Sequence, residues 1–231
     1  MTPAQARARF RAGLVTPTTG WCDGITQTNL ITVPRAQAWD FLLFAQRNPQ
    51  PCPVLDVLDA GAVAGPLLDG DVRTDIPLYR VYVDGEQVAE TPDVRDWWRD
   101  DLVSFLVGCS HVRAGARGGR GAGAVSGPLV VSMRYVPAAL VETAVAVTAR
   151  YPAVHGAPVH AGDPRELGIA DLDAPDYGDA VRPEPGDVPV FWACGVTPQA
   201  AVVVESRPPL AIAHAPGHML ITDARDDDYL I

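Results

Sequence analysis

The sequence predicts an α/β fold with mixed β-sheets and flanking helices, and three observations carry that prediction. Short apolar runs that read as strands alternate with stretches at helical spacing, without an internal repeat. The dipeptide Asp84-Gly85 lies between two β-prone runs, which forces an antiparallel pair beside any crossover units. Hydrophobic residues are 48% of the 231 and charged residues 20%, enough to bury a core in one large domain or two small lobes.

The elements follow in chain order. Residues 3–13 read as a short helix with Pro3 at its start. A second helix begins at Pro34, with Trp39, Leu42, Leu43 and Gln46 at helical spacing, and stops at Asn48-Pro49. The three prolines of 48–53 predict an extended, stiff segment. Residues 78–83 and 86–90 form the hairpin. Trp98, Leu102, Phe105 and Leu106 then give an amphipathic helix ending at Gly108. A strand over 129–135 precedes a helix over 137–150, with Leu140, Ala144, Val147 and Tyr151 on one face. Residues 151–189, rich in Pro, Gly and Asp, read as long loops with short elements. Strands at 188–193, 211–214 and 219–222, with a helix around 199–205, complete the chain.

Charge and composition exclude several classes of function. A net charge of −10 argues against nucleic acid or an anionic membrane as partner. All 18 basic residues are arginine, so Schiff-base chemistry, a pyridoxal-phosphate anchor and a phosphate-loop lysine are absent. No apolar run reaches membrane-spanning length and residues 1–13 lack a signal-peptide core, so the chain is expected to be soluble and cytoplasmic. Cys22, Cys52, Cys109 and Cys194 form no C-x-x-C pair and are expected to be free thiols, at least two of them buried.

The chemistry-bearing residues cluster in turns. They are Asn29 within Gln27-Thr-Asn-Leu30, Arg73-Thr-Asp75, Gly108-Cys-Ser110 and Ser132-Met-Arg134, then His155 to His160, Cys194 to Gln199, and His214 to Asp223. The turns at 194–199 and 214–223 are expected to converge on one cleft, with Asn29 and 108–110 opposite. His214 and His218 are four apart, but Pro216-Gly217 breaks helical geometry and no H-E-x-x-H glutamate is present. A metal held by His155, His160, His214 and His218 is the alternative to a loop-borne histidine base.

In order along the chain, NPxPCP, RTDIPLYRVYxDG, WRDDLVSFLVGCS, SGPLVVSMR, HGAPVHAGDP, GIADLDAPDYGD, FWACGVTPQ and HAPGHMLITD resemble the bacterial hydro-lyase family that shares its domain with mitochondrial D-glutamate cyclase. The resemblance runs from about residue 11 to 223. It implies a two-lobed fold, a three-layer lobe plus a smaller two-layer one, as a single unit over 1–231. It also implies chemistry that removes water, with cyclisation of D-glutamate to 5-oxo-D-proline as the leading activity. Family members place a longer segment between the GCS motif and the SGPLVVSMR strand than this chain does.

Ring closure tethers amine and carboxyl, so the site needs a carboxylate clamp, a base, and donors for the departing oxygen. Arg73 and Arg134 are the clamp candidates, with Asn29, Asp75, His155, His160 and Gln199 as further substrate contacts. His214 is the favoured base. Asn29, Ser110 and Thr197 are donors, and Cys194 or Cys109 an acyl-forming nucleophile. No cofactor is expected, a divalent metal at the histidines being the alternative. The partner is a small amino acid or carboxylate, with a homo-oligomer left open. The competing reading is a non-catalytic carboxylate-binding or regulatory module on the same scaffold. Residues 113–125, Gly-rich with Arg113, Arg117 and Arg120, read as a flexible loop that draws in anionic substrate, in preference to an RNA-contacting segment.

Overall fold

A computed structural model describes residues 1–109, 130–175 and 180–231; Ser110 and the 113–125 segment lie outside them. Ten strands form two sheets: β1 (Ile25–Pro34), β2 (Val54–Leu58), β3 (Tyr79–Val83), β4 (Glu86–Thr91), β5 (Leu102–Cys109), β6 (Val131–Pro137), β7 (His160–Ala161), β8 (Asp187–Ala193), β9 (Ala211–His214) and β10 (Leu220–Arg225). The larger sheet has the order β2-β5-β1-β9-β3-β4, with β10 also on β1; the smaller is β6-β8-β7. Every pairing among the described strands is antiparallel, so the α/β architecture is built without the expected parallel crossover units.

The larger sheet is covered on both faces. On one, Ile31, Val33, Phe105 and Val107 pack under helix α2 (Arg35–Arg47) and the π-helical turn Ala200–Ser206. On the other, Leu30, Leu102, Leu106 and Ile212 meet Leu68, Val72, Ile76 and Val94 from the long β2–β3 and β4–β5 connections. Helix α1 (Pro3–Arg11) is capped by Thr2, and its buried Arg7 anchors it to β10. In the smaller sheet, Val131 and Phe191 face Ile169 on one side. The opposite face carries Ser132, Arg134 and Trp192, and Trp192 donates its indole N–H to Thr148 of α3 (Val141–Ala149) at 3.2 Å.

Three expectations change. Residues 102–109 form a strand, not a helix: β5 lies between β2 and β1, so both its faces are buried and its apolar run loses the alternation that marks a half-buried strand. The 48–53 segment turns instead of extending, with Cys52 N–H donating to Asn48 carbonyl at 3.0 Å. Helix α3 forms as expected, but the apolar residues stay at the surface, with Val147 and Leu140, the residue just before the helix, about half exposed. The Asp84-Gly85 turn is as the sequence predicts, both residues having positive φ (50° and 86°).

Candidate functional site

The larger sheet forks at Asn29. On one edge β1 pairs with β5 along its length; on the other it pairs first with β10, up to Thr28↔Leu220, and then with β9 from Ile31↔Ala213. Asn29 and Leu30 lie in the gap, which residues 215–219 cross as an excursion between β9 and β10. His214, the last residue of β9, fills the gap with its ring. It takes the Leu30 N–H on Nδ1 at 3.1 Å, with the Gln199 amide nitrogen 2.8 Å from the same atom.

Asn29 holds the two cysteine turns together. Its amide donates to the carbonyls of Val107 at 3.4 Å and Gly108 at 3.3 Å, at the end of β5, and its side chain hydrogen-bonds the Cys109 thiol. From the other sheet, Gly195 lies so close that a Cβ there would stand 1.8 Å from Asn29 Nδ2. Only glycine fits. Cys194 and Cys109 therefore sit beside one carboxamide, each with a side-chain partner, Asn29 for Cys109 and Ser132 for Cys194.

Electrostatics at this junction favour neutral groups. Burial and the neighbouring Cys194 push the Cys109 thiol up to about 12, against the Asn29 hydrogen bond and the charge of Arg134. Burial likewise raises Cys194, opposed by the Val196 N–H and Ser132. Burial pulls His214 down to about 4, helped by the charges of His218 and Arg80. Arg134, on the same sheet face as Ser132, holds its guanidinium 5.8 Å from the centre of the Trp192 ring.

Other expected site residues serve elsewhere. Thr197 spends its hydroxyl on Val130, accepting from its N–H at 2.9 Å and donating to its carbonyl at 3.1 Å. Arg73 grips Asp71 with two hydrogen bonds, while Asp75 is buried against Arg7 and Arg11; none of these partners is Asn29, a site cysteine or His214. A cavity of about 610 Å³ adjoins this network, lined by Arg11, Asp71, Thr74 and Arg95 among others. Its arginines are already paired, with Asp75 and Asp93.

The histidines are dispersed. His155, in left-handed conformation (φ 77°), shares a 2.9 Å Nδ1 contact with the Gln50 carbonyl. His160 Nε2 meets the Asp163 carbonyl and His218 Nδ1 the Pro216 carbonyl, both at 2.9 Å. Among the described residues, no three His, Cys, Asp or Glu are placed to hold a metal. His155 still borders the site: its loop packs on β5, where a Cβ at Gly108 would lie 2.0 Å from Ala153 oxygen. Ser132, which the sequence marks only as part of Ser132-Met-Arg134, gains a role here as the side-chain partner of Cys194. Its two-residue spacing from Arg134 on a strand places both on one face, which is the signal that marks it.

Comparison with known proteins gives the family. A protein of Mycolicibacterium gilvum, named "Putative hydro-lyase", is 59% identical over all of this chain and 97% of its own length. One of the same name from Saccharopolyspora erythraea is 59% identical with both chains fully covered, and one from Rhodococcus opacus 57% identical over 97% of its length. The family model described as D-glutamate cyclase matches residues 116–223. The chain belongs to this hydro-lyase family. Its alignment with the M. gilvum relative runs over 255 positions, 24 more than the 231 residues here, so these relatives carry residues without a counterpart in this chain.

Proposed function

We propose that this hydro-lyase family member removes water from a small amino acid or carboxylate, closing D-glutamate to 5-oxo-D-proline. The observation that carries the reading is the meeting at Asn29 of Cys109 and the Cys194–Gly195 turn, with the charge of Arg134 acting on Cys109 and the His214–Gln199 pair held on the backbone of the next residue, Leu30. An anionic substrate is oriented by the Arg134 guanidinium, whose two-point fork fits a carboxylate. Holding amine and side-chain carboxyl in near-attack geometry supplies roughly 7–11 kcal/mol of the barrier.

The reaction joins nitrogen to the side-chain carbonyl carbon and expels one carboxyl oxygen as water. Two protons leave the ammonium and two arrive on the departing oxygen, so the chemistry is a relay with no net charge. A buried thiol near 12 stays protonated at neutral pH, so it is a poor resting nucleophile and gives up its proton only to a strongly basic oxygen such as the departing one. Cys109 protonates the departing oxygen and is reprotonated from the ammonium, with Cys194 as its neighbour in the relay. We place the reaction in the cytoplasm; all four cysteines are free thiols, and no helix among the described residues is long and apolar enough to cross a membrane.

The shorter length of this chain favours one second reading, a scaffold that binds a small carboxylate without turning it over. Incubation with D-glutamate and chiral chromatography for 5-oxo-D-proline, beside a calorimetric titration of both compounds, separates the two. Turnover supports the cyclase reading; binding without turnover supports the second; neither overturns both.

A further inference from the structure

Three contacts fix the ring of His214, which is 1% exposed. Leu30 N–H points at Nδ1 from 3.1 Å, and the Gln199 amide nitrogen stands 2.8 Å from that same atom. The orientation of the Gln199 carboxamide is itself fixed, because its nitrogen also donates to the His214 carbonyl at 3.2 Å; a flipped amide would set two oxygens against each other. The competing contact, Nδ1 to the Leu30 carbonyl, is longer at 3.3 Å. Two donors closing on one nitrogen require its lone pair, so the ring proton belongs on Nε2. That atom makes no hydrogen bond among the described residues, and it is not one of the sealed orphan atoms, as His155 Nε2 is.

We infer that His214 serves the site as a neutral Nε2–H donor, not as a base or metal ligand, and that Gln199 is the positioning residue holding it in that tautomer. An Nε2–H needs an acceptor, so a ligand atom that meets it is an oxygen, such as the carbonyl or carboxyl oxygen of a small acid. The identity of that acid rests on the proposed function; the tautomer does not. A neutral imidazole N–H is a weak acid that strengthens its hydrogen bond as charge grows on the oxygen, the behaviour needed to stabilise a tetrahedral intermediate. The ring stays uncharged near neutrality, because burial, with the charges of His218 and Arg80, outweighs the Leu30 backbone hydrogen bond that favours the imidazolium. A metal at Nε2 would need the lone pair that this tautomer lacks.

The test is long-range proton–nitrogen correlation on protein labelled with ¹⁵N-histidine, without substrate, at about pH 7. The expected spectrum for His214 has a bare Nδ1 and a protonated Nε2, unchanged down to about pH 5. Gln199→Glu presents a carboxylate that accepts a hydrogen bond only from a protonated Nδ1, so it should exchange the two nitrogen shifts or convert the ring to imidazolium. Gln199→Met, which offers neither group, should retain the Nε2–H pattern through Leu30 alone. A wild-type ring with the proton on Nδ1, or an imidazolium at neutral pH, overturns the inference whether or not either variant folds. An unaltered spectrum in folded Gln199→Glu removes the role of Gln199. D-glutamate turnover is read separately, so an Nε2–H ring in a protein that never cyclises D-glutamate sinks the substrate reading and leaves this one intact.

Discussion

Gly195 and Asn29 show how one missing side chain builds the junction. Gly195→Ala drives a methyl into the Asn29 amide, which must give up its contacts to Val107 and Gly108. Overpacking of this kind costs about 1–3 kcal/mol. Urea denaturation should show that loss, and any turnover should fall with it. At this scale the candidate residues were legible as types in turns, but their tasks were not. Thr197 looks like a donor in sequence, yet it clamps Val130; Asp75 looks like a ligand contact, yet it neutralises Arg7. Which partner a polar side chain finds is decided by strands far away in sequence, and local spacing carries no record of it.

At the scale of elements, helix α1 depends on Arg7. Its guanidinium donates to Asp223 at 2.9 and 3.0 Å and to the Ile221 carbonyl at 2.9 Å, beside buried Asp75. Arg7→Met leaves the buried Ile221 carbonyl without its donor and Asp75 with Arg11 as its remaining arginine, and should destabilise by about 1–3 kcal/mol. Asp223→Asn, at the more exposed end of the network, should cost less; chemical denaturation of the two variants ranks them. The hairpin, α1, α2, β8 and β9 were readable because turn residues, caps and β-branched runs act locally. The central strands were not. β1 carries Gln27, Thr28, Asn29 and Thr32 into the interior, where Thr32 pairs with Ser104 at 2.8 Å and Gln27 donates to the Thr18 carbonyl at 2.9 Å. A strand with polar residues buried on both faces has neither alternation nor a continuous apolar run. β5, equally central, carries Leu102, Phe105 and Leu106 at a spacing that mimics a helix. Phe105→Ala, which empties the core under α2, should cost about 3–5 kcal/mol in the same assay.

Across the whole molecule, the two sheets meet where the site lies, and acid should loosen that junction. His155 and His214 sit near about 4 in the fold, against about 6.5 in an unfolded chain. As pH falls, the unfolded state takes up protons first. Stability is therefore complete above about 6.5 and is lost toward 4, by on the order of 3 kcal/mol for each buried imidazole. Denaturation at about pH 7.5 and about pH 5 should show this slope. His155→Asn tolerates the left-handed backbone, retains a donor toward the Gln50 carbonyl, and should remove that residue's share of the acid sensitivity. The central claim is that Asn29 assembles one water-removing site from both sheets. Its most direct test is the rate of 5-oxo-D-proline formation from D-glutamate in Asn29→Ala relative to wild type, with circular dichroism confirming that both are folded. The account predicts measurable wild-type turnover and a fall of about 100-fold or more in the variant. Equal rates in the two proteins, or a wild-type rate no faster than the uncatalysed reaction, would contradict it.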